Sequence, residues 1–86
     1  LRSLLRTEFA PEGKLQLRRA LDEKDEVALE MLALHYHGTN EAAEALLWLG
    51  DRNLGDGEPA LAVGRYRQAL RMAEGGLRRR INGRLL

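Results

Sequence analysis

The side chains that could carry chemistry are few, and their spacing does not assemble a catalytic site. The chain has no Cys, and its only Ser and Thr residues are Ser3, Thr7 and Thr39. Its two His residues, His35 and His37, are two positions apart, so on a helix they lie on different faces and cannot bind one metal ion together. Nucleophilic catalysis needs a nucleophile beside a base, and the sequence offers no such pair. We therefore predict a noncatalytic protein with no cofactor and no metal site.

An acidic cluster around Lys24 is a second place where chemistry could occur, in this case calcium binding. Its carboxylates belong to Asp22, Glu23, Asp25 and Glu26. A calcium-binding loop needs alternating oxygen ligands, a Gly at the turn and a distal Glu, and this cluster lacks that arrangement. The pattern favours a solvated turn between two helices.

Length and composition predict one small helical domain. The chain has 86 residues, and Leu, Ala, Arg and Glu dominate it while aromatic residues make up only 5%. No apolar run reaches the roughly 18 residues that a membrane-spanning helix needs. Because residue 1 is Leu and not Met, we expect a piece of a longer protein. With no Cys, the sequence fits either an oxidising or a reducing compartment.

Helix-breaking and capping residues divide the chain. Pro11 and Gly13 are expected to end a short amphipathic segment over residues 1–13. Asp25 is a plausible N-cap for the second helix, and Thr39 or Asn40 for the third. We predict helices over residues 14–23, 26–37, 40–54 and 58–74, and a short fifth helix over 77–86. The second helix has a broad apolar face made of Val27, Ala28, Met31, Leu32, Leu34 and His35.

Small and large residues recur between Ala43 and Glu74 in a way that predicts close packing of two antiparallel helices. Gly50, Ala62 and Ala69 are small enough to let the helices approach each other. The space between the helices would be filled by Leu46, Leu49, Tyr66 and Leu70. Gly57 permits the chain to reverse between them.

The order of these residues resembles the tetratricopeptide repeat, a helix–turn–helix unit of about 34 residues with the pattern W-x2-L-G-x2-Y…A-x3-F…P. The matching positions read Leu46-x2-Leu49-Gly50-x2-Asn53 and then Ala62-x3-Tyr66-x2-Ala69-Leu70. The preceding run from Tyr36 to Gly50 is similar to the bacterial envelope subgroup that includes the Tol–Pal coordinator and outer-membrane assembly lipoproteins. The chain departs from the family pattern at His37, Leu46, Asn53 and Glu74.

This resemblance implies an all-α fold of two antiparallel helical hairpins stacked as a short solenoid, with short helical segments at the ends. Residues 1–86 would form a single domain. Within it, a degenerate hairpin covers 14–37, a repeat covers 40–74 and a capping helix covers 77–86. Such repeats bind proteins or peptides, so the expected function is that of an interaction or scaffold module.

The resemblance also implies where a partner would bind. Carried over by position in the motif, the groove residues are Glu44, Leu47, Asp51 and Leu54, which fall on one helical face. Because two of the four are carboxylates, this groove favours a basic or amphipathic partner segment. Trp48, the only Trp, either packs at the junction between hairpins or anchors a partner.

Charge is unevenly distributed, although the net charge is only +1. Residues 26–58 carry one basic and seven acidic side chains, and residues 59–86 carry seven basic and one acidic. In one interpretation the two regions neutralise each other where their helices pack. In the other, a basic patch binds an acidic surface or nucleic acid. That patch comprises Arg71, Arg78, Arg79, Arg80 and Arg84. A further alternative is self-association, in which an uncovered repeat edge pairs with another copy.

Overall fold

The computed structural model describes residues 2–85, and the side chains from residue 13 to residue 85. Over this range the chain is all-α, which confirms the predicted fold class. Its helices are α1 (Arg2–Glu23), α2 (Glu26–His35), α3 (Asn40–Gly55), α4 (Pro59–Met72) and α5 (Gly75–Leu85). None of the helices described is both long enough and apolar enough to cross a membrane.

Helix α1 continues through Pro11 and Gly13, so the predicted break at these residues is wrong. A proline inside a helix removes one backbone hydrogen bond and costs about 3 kcal/mol, but it leaves the remaining bonds of the helix in place. Burial of Leu17 and Ala20 in the same helix offsets this cost. Gly13 lies beside the ring of Tyr36, where an added Cβ would be 3.4 Å from the Cε1 atom, an ordinary contact distance.

The N-caps of α2 and α3 are residues that the sequence predicts for this role. The Asp25 carboxylate accepts a hydrogen bond of 3.1 Å from the backbone N–H of Ala28, which confirms its role as N-cap of α2. Thr39 is the N-cap of α3, and its Oγ1 atom accepts from the N–H of Ala42 at 3.2 Å. The Oδ1 atom of Asn40 instead accepts a hydrogen bond of 2.8 Å from the backbone N–H of Glu74, in the link between α4 and α5.

The remaining boundaries differ from the predicted ones by about two residues. Helix α2 ends at His35, and the chain then turns through Gly38, which has φ +91°. The turn before α4 contains Gly57 with φ +79°, a left-handed conformation that explains why glycine is needed there. Pro59 begins α4 at a position where its missing N–H costs little. Helix α5 begins at Gly75, two residues before its predicted start.

Helix α3 is the centre of the fold, because it packs against each of the other four helices. Its closest approach is to α4. A Cβ at Gly50 would lie only 2.6 Å from the Cε1 atom of Tyr66, a distance that no real side chain tolerates. Ala62 and Ala69 are fully buried on the α4 side. The prediction that these three small residues allow close packing is therefore confirmed.

The apolar face predicted for α2 is only partly correct. Of its six residues Leu32 is buried and Ala28 is half-buried, whereas the other four are exposed: Val27, Met31, Leu34 and His35. The core residues of α2 are Leu29, Leu32 and Ala33. The predicted face was too broad, since α2 packs against α1 and α3 only and turns its opposite side outward.

Candidate protein-binding surfaces

The predicted groove residues all lie on helix α3, and we call them the α3 face: Glu44, Leu47, Asp51 and Leu54. Leu47 is only 3% exposed and belongs to the core, whereas Leu54 is 52% exposed. The carboxylates of Glu44 and Asp51 are half-buried. Their role in binding a partner stays a prediction, and a substitution of Leu47 would test the core and not a groove.

Helix α5 lies against this α3 face. The Nε and Nη2 atoms of Arg84 donate to the two carboxylate oxygens of Asp51 at 3.0 and 3.3 Å. One turn earlier, Arg80 pairs with Glu44 at 3.8 Å. Ile81 lies beside Arg80 in the sequence and is fully buried in the core. A basic amphipathic helix of the chain itself therefore pairs with both carboxylates of the α3 face, while Leu54 stays exposed.

Asp51 links three helices through its carboxylate. Besides Arg84 of α5, it accepts a hydrogen bond of 2.5 Å from the phenolic O–H of Tyr66 in α4. Burial, followed by this hydrogen bond, raises the pKa of Tyr66 to about 12. The hydrogen bond to Asp51 likewise raises the pKa of the Arg84 guanidinium. Asp51 therefore serves a structural contact network in this conformation.

The predicted basic patch is divided between paired and exposed side chains. Arg80 and Arg84 pair with α3, and Arg78 donates to the backbone oxygen of Leu70 at 3.1 Å. Arg71 and Arg79 are exposed and form no ion pair among the side chains that the structure describes. The two α3 pairs agree with the interpretation that acidic and basic helices neutralise each other where they pack. Nucleic-acid binding stays a prediction.

Trp48 lies between its two predicted roles. It is half-buried and packs against the core, with part of its ring accessible. This position is compatible both with packing between helices and with contact to a partner. Its role as an aromatic anchor stays a prediction.

A wide furrow separates α2 from α4, and sequence reasoning did not find it. Both helices pack on α3 while their backbones stay apart, which leaves an open space of about 960 Å³ that we call the α2–α4 furrow. Apolar atoms of Ala33, Leu46 and Ala73, all buried residues, contribute to its lining. On the α2 side it is lined by Leu34, which is 78% exposed.

Two contacts bridge the furrow. Arg65 of α4 pairs with Glu30 of α2 at 2.9 Å. Beyond the end of α2, the backbone N–H of Gly38 donates to the Sδ atom of Met72, the last residue of α4, at 2.9 Å. The remaining polar lining of the furrow comes from His37, Gln68, Arg71, Glu74 and Arg78.

The exposed apolar residues of α2 form a second surface, which we call the α2 ridge: Val27, Met31 and Leu34. They are 68%, 63% and 78% exposed, and their i, i+4, i+7 spacing places them on one side of the helix. Leu34 faces the furrow, whereas Met31 lines a smaller notch of about 450 Å³ between α1 and α2. Leu15 of α1 is also 64% exposed. The α2 ridge is thus flanked by a concave surface on each side.

Neither a metal-binding cluster among the described residues nor a match to a known protein indicates a function. In the described part of the chain, no three His, Cys, Asp or Glu side chains come together in a way that could hold a metal ion. No family model, curated protein or solved structure matches this chain. The surfaces of the molecule are therefore the basis on which a function can be proposed.

Proposed function

We propose that this chain is a noncatalytic protein–protein interaction module that takes up a helix or peptide of a partner in the α2–α4 furrow. The observation that carries the proposal is the furrow itself, an open space of about 960 Å³ with buried apolar residues in its lining. Its apolar lining next to the exposed Leu34 offers a place for an apolar anchor of the partner.

The charges around the furrow indicate which partner would fit. Glu30 is already paired with Arg65, whereas Arg71 is exposed with no ion pair among the described side chains. Arg78 and Gln68 supply further hydrogen-bond donors to the furrow. Glu74 is an acidic residue in the same lining. An amphipathic segment with acidic residues beside its apolar anchor would match this lining.

The residues that carry the resemblance to tetratricopeptide repeats also support an interaction module, because such repeats bind peptides and helices. Both carboxylates of the α3 face are paired with α5 and Leu47 is buried, so the furrow is the more accessible of the two surfaces. The function is therefore of the class that the sequence predicts, but the binding surface is the α2–α4 furrow and not the α3 face.

The experiment is a selection of helical peptides from a display library on the immobilised full chain, followed by affinity measurements on variants. We expect selected peptides to be acidic and amphipathic. Leu34→Asp and Arg71→Glu should each weaken their binding at least tenfold. Leu61→Asp is the matched control, because Leu61 is 53% exposed on α4 but does not line the furrow. Selected peptides that bind all three variants as they bind the wild type would refute the proposal.

Self-association is a second candidate, and the α2 ridge is the observation that favours it. Val27 and Met31, one turn apart on α2, both expose large apolar side chains. Exposed apolar surface of this kind marks interaction sites when it is extended. A second copy covering the ridge would remove that surface from water, and sedimentation equilibrium over a wide concentration range tests it.

A further inference from the structure

We propose that Met72 is a redox-sensitive control point of the α2–α4 furrow, where oxidation of its thioether to a sulfoxide by a peroxide weakens partner binding. The inference rests on the proposed function of the furrow, because partner binding is what the oxidation changes. The oxidation itself and its effect on the contact between Met72 and Gly38 are measured without a partner, so the two proposals fail in different ways.

The composition of the chain directs peroxide to two side chains. The sequence has no Cys and only two Met residues, Met31 and Met72, and Cys and Met are the side chains that peroxide oxidises at sulfur. Met31 is 63% exposed and lines the notch between α1 and α2. Met72 is half-buried and lines the open furrow. Peroxide in the solvent therefore reaches one sulfur outside the furrow and one inside it.

The sulfur of Met72 takes part in one of the two contacts that bridge the furrow. Its Sδ atom accepts a hydrogen bond from the backbone N–H of Gly38, in the turn that follows α2. Thioether sulfur is a weak acceptor. In a sulfoxide the oxygen is the stronger acceptor, and it lies one bond farther from α4 than the sulfur does. The turn at Gly38 must therefore shift relative to α4 if the oxidised side chain is to keep this hydrogen bond.

The lining of the furrow makes the sulfoxide a competitor of the partner. Part of the lining is apolar and includes Leu46 and Ala73, and a thioether is compatible with it. Arg71 and Gln68 line the same furrow and are donors that an acidic partner would use. A sulfoxide oxygen accepts hydrogen bonds from such donors and makes the Met72 side chain polar. Oxidation therefore removes apolar surface from the partner's anchor and occupies donors that its carboxylates need.

The reaction is the transfer of one oxygen atom from hydrogen peroxide to sulfur. A lone pair of Sδ attacks one peroxide oxygen, so that an S–O bond forms and the O–O bond breaks. The proton of the transferred oxygen passes to the other oxygen, which leaves as water. Sulfur loses two electrons and the peroxide gains two. A methionine sulfoxide reductase reverses the change with two thiols, which become a disulfide while the oxygen leaves as water.

The experiment uses the full chain with the substitution Met31→Leu, in which Met72 carries the only sulfur atom. Met31 is mostly exposed, so this substitution should leave stability nearly unchanged. Hydrogen peroxide converts the variant to the sulfoxide, which mass spectrometry identifies by one added oxygen. The probe is an acidic amphipathic peptide selected on the furrow. We expect the oxidised variant to bind it roughly tenfold more weakly. Treatment with the reductase and dithiothreitol should restore the affinity.

Met72→Leu is the matched control, because peroxide then oxidises only Met31. Its affinity for the peptide should be the same before and after treatment. Met72→Gln places a permanent polar group at the end of a side chain of similar length, and it should weaken binding by a similar factor without peroxide. If circular dichroism shows that the oxidised protein unfolds, Met72→Gln takes its place in the comparison.

The backbone amide of Gly38 provides the measurement that needs no partner. Its NMR signal should shift when the Met31→Leu variant is oxidised and stay in place when the Met72→Leu variant is treated in the same way. An unchanged Gly38 signal would overturn the inference, as would peptide affinity that neither oxidation nor Met72→Gln alters, and in both cases the furrow remains a binding site. If the reduced protein binds no selected peptide, the proposed function fails and the inference fails with it.

Discussion

In both helix pairs, α1–α2 and α3–α4, a glycine lies against a tyrosine ring, and the two approach more closely in the second pair. Each sets a glycine of its first helix against a tyrosine near its second: Gly13 against Tyr36, and Gly50 against Tyr66. A Cβ would lie 3.4 Å from the ring in the first pair and 2.6 Å in the second. Tyr66 is 2% exposed and bonded to Asp51, whereas Tyr36 is half-buried.

This difference matches the distribution of exposed apolar surface. Among the described side chains, the four most exposed large apolar residues lie on α1 or α2: Leu34, Val27, Leu15 and Met31. The α3–α4 pair completes the core, while the α1–α2 pair contributes to the core on one side and leaves apolar surface on the other. Close packing and availability for binding are thus separated along the chain.

The largest expected effect compares the two tyrosines. Tyr66→Ala should lower the free energy of unfolding by about 3–5 kcal/mol, the usual cost of truncating a buried aromatic side chain. Tyr36→Ala should cost roughly half as much, because Tyr36 is only half-buried. Urea denaturation followed by circular dichroism measures both. If Tyr36→Ala proved as costly as Tyr66→Ala, the two pairs would not differ in packing as described.

The two glycines give the next largest effect. Gly50→Ala should destabilise the protein by about 2 kcal/mol, because the new methyl group overlaps the ring of Tyr66. The energetic cost of this overlap exceeds the gain from alanine's better helix propensity. Gly13→Ala should be close to neutral, since its Cβ meets the Tyr36 ring at an ordinary contact distance. Gly64→Ala is the control: no atom lies within 4 Å of its added Cβ, and stability should rise by about 0.5–1 kcal/mol.

Alkaline pH should weaken the α3–α4 pair through Tyr66. Its pKa is raised to about 12 in the folded protein, above the ordinary value of 10.0. Between these values the folded state binds more protons than the unfolded state, so stability is complete below pH 10 and falls as the pH rises. At pH 11 the loss from this group should be about 1 kcal/mol. Denaturation at several pH values measures it.

Tyr66→Phe is the matched variant for the pH experiment, because it keeps the ring and removes the titrating group. Its stability should lack this component of the alkaline decrease. A decrease of the same size in wild type and variant would show that Tyr66 is not its source.

Local signals in the sequence predicted the local structure well. The Asp25 cap, the turn at Gly57 and the small residues facing Tyr66 each depend on a few neighbouring residues or on one helix pair. Pro11 misled the prediction because it imposes a penalty that tertiary packing can outweigh, and not a prohibition. Local rules predict the conformation that a segment prefers, and tertiary packing decides whether the segment adopts that conformation.

The binding surfaces were harder to predict, for a physical reason. The α2–α4 furrow lies between two helices that do not pack directly against each other, so no sequence periodicity marks it. The α3 face was found by position in the motif, but its contact with α5 depends on the pairs Arg80–Glu44 and Arg84–Asp51, which are more than thirty residues apart in sequence. Unequal charge along the chain was the one sequence feature that pointed toward this contact.

The smallest effect on stability, and the sharpest test of the contrast, comes from the α2 ridge. Val27→Ser/Met31→Ser should change the free energy of unfolding by no more than about 0.5 kcal/mol per site, because both side chains are mostly exposed. If this ridge mediates self-association, the wild type should show a mass that rises with concentration in sedimentation equilibrium, and the double variant should not. Leu54→Ser/Leu61→Ser is the matched control, being 52% and 53% exposed on α3 and α4, and it should associate as the wild type does. A wild type that stays monomeric throughout would remove self-association as a function of the ridge.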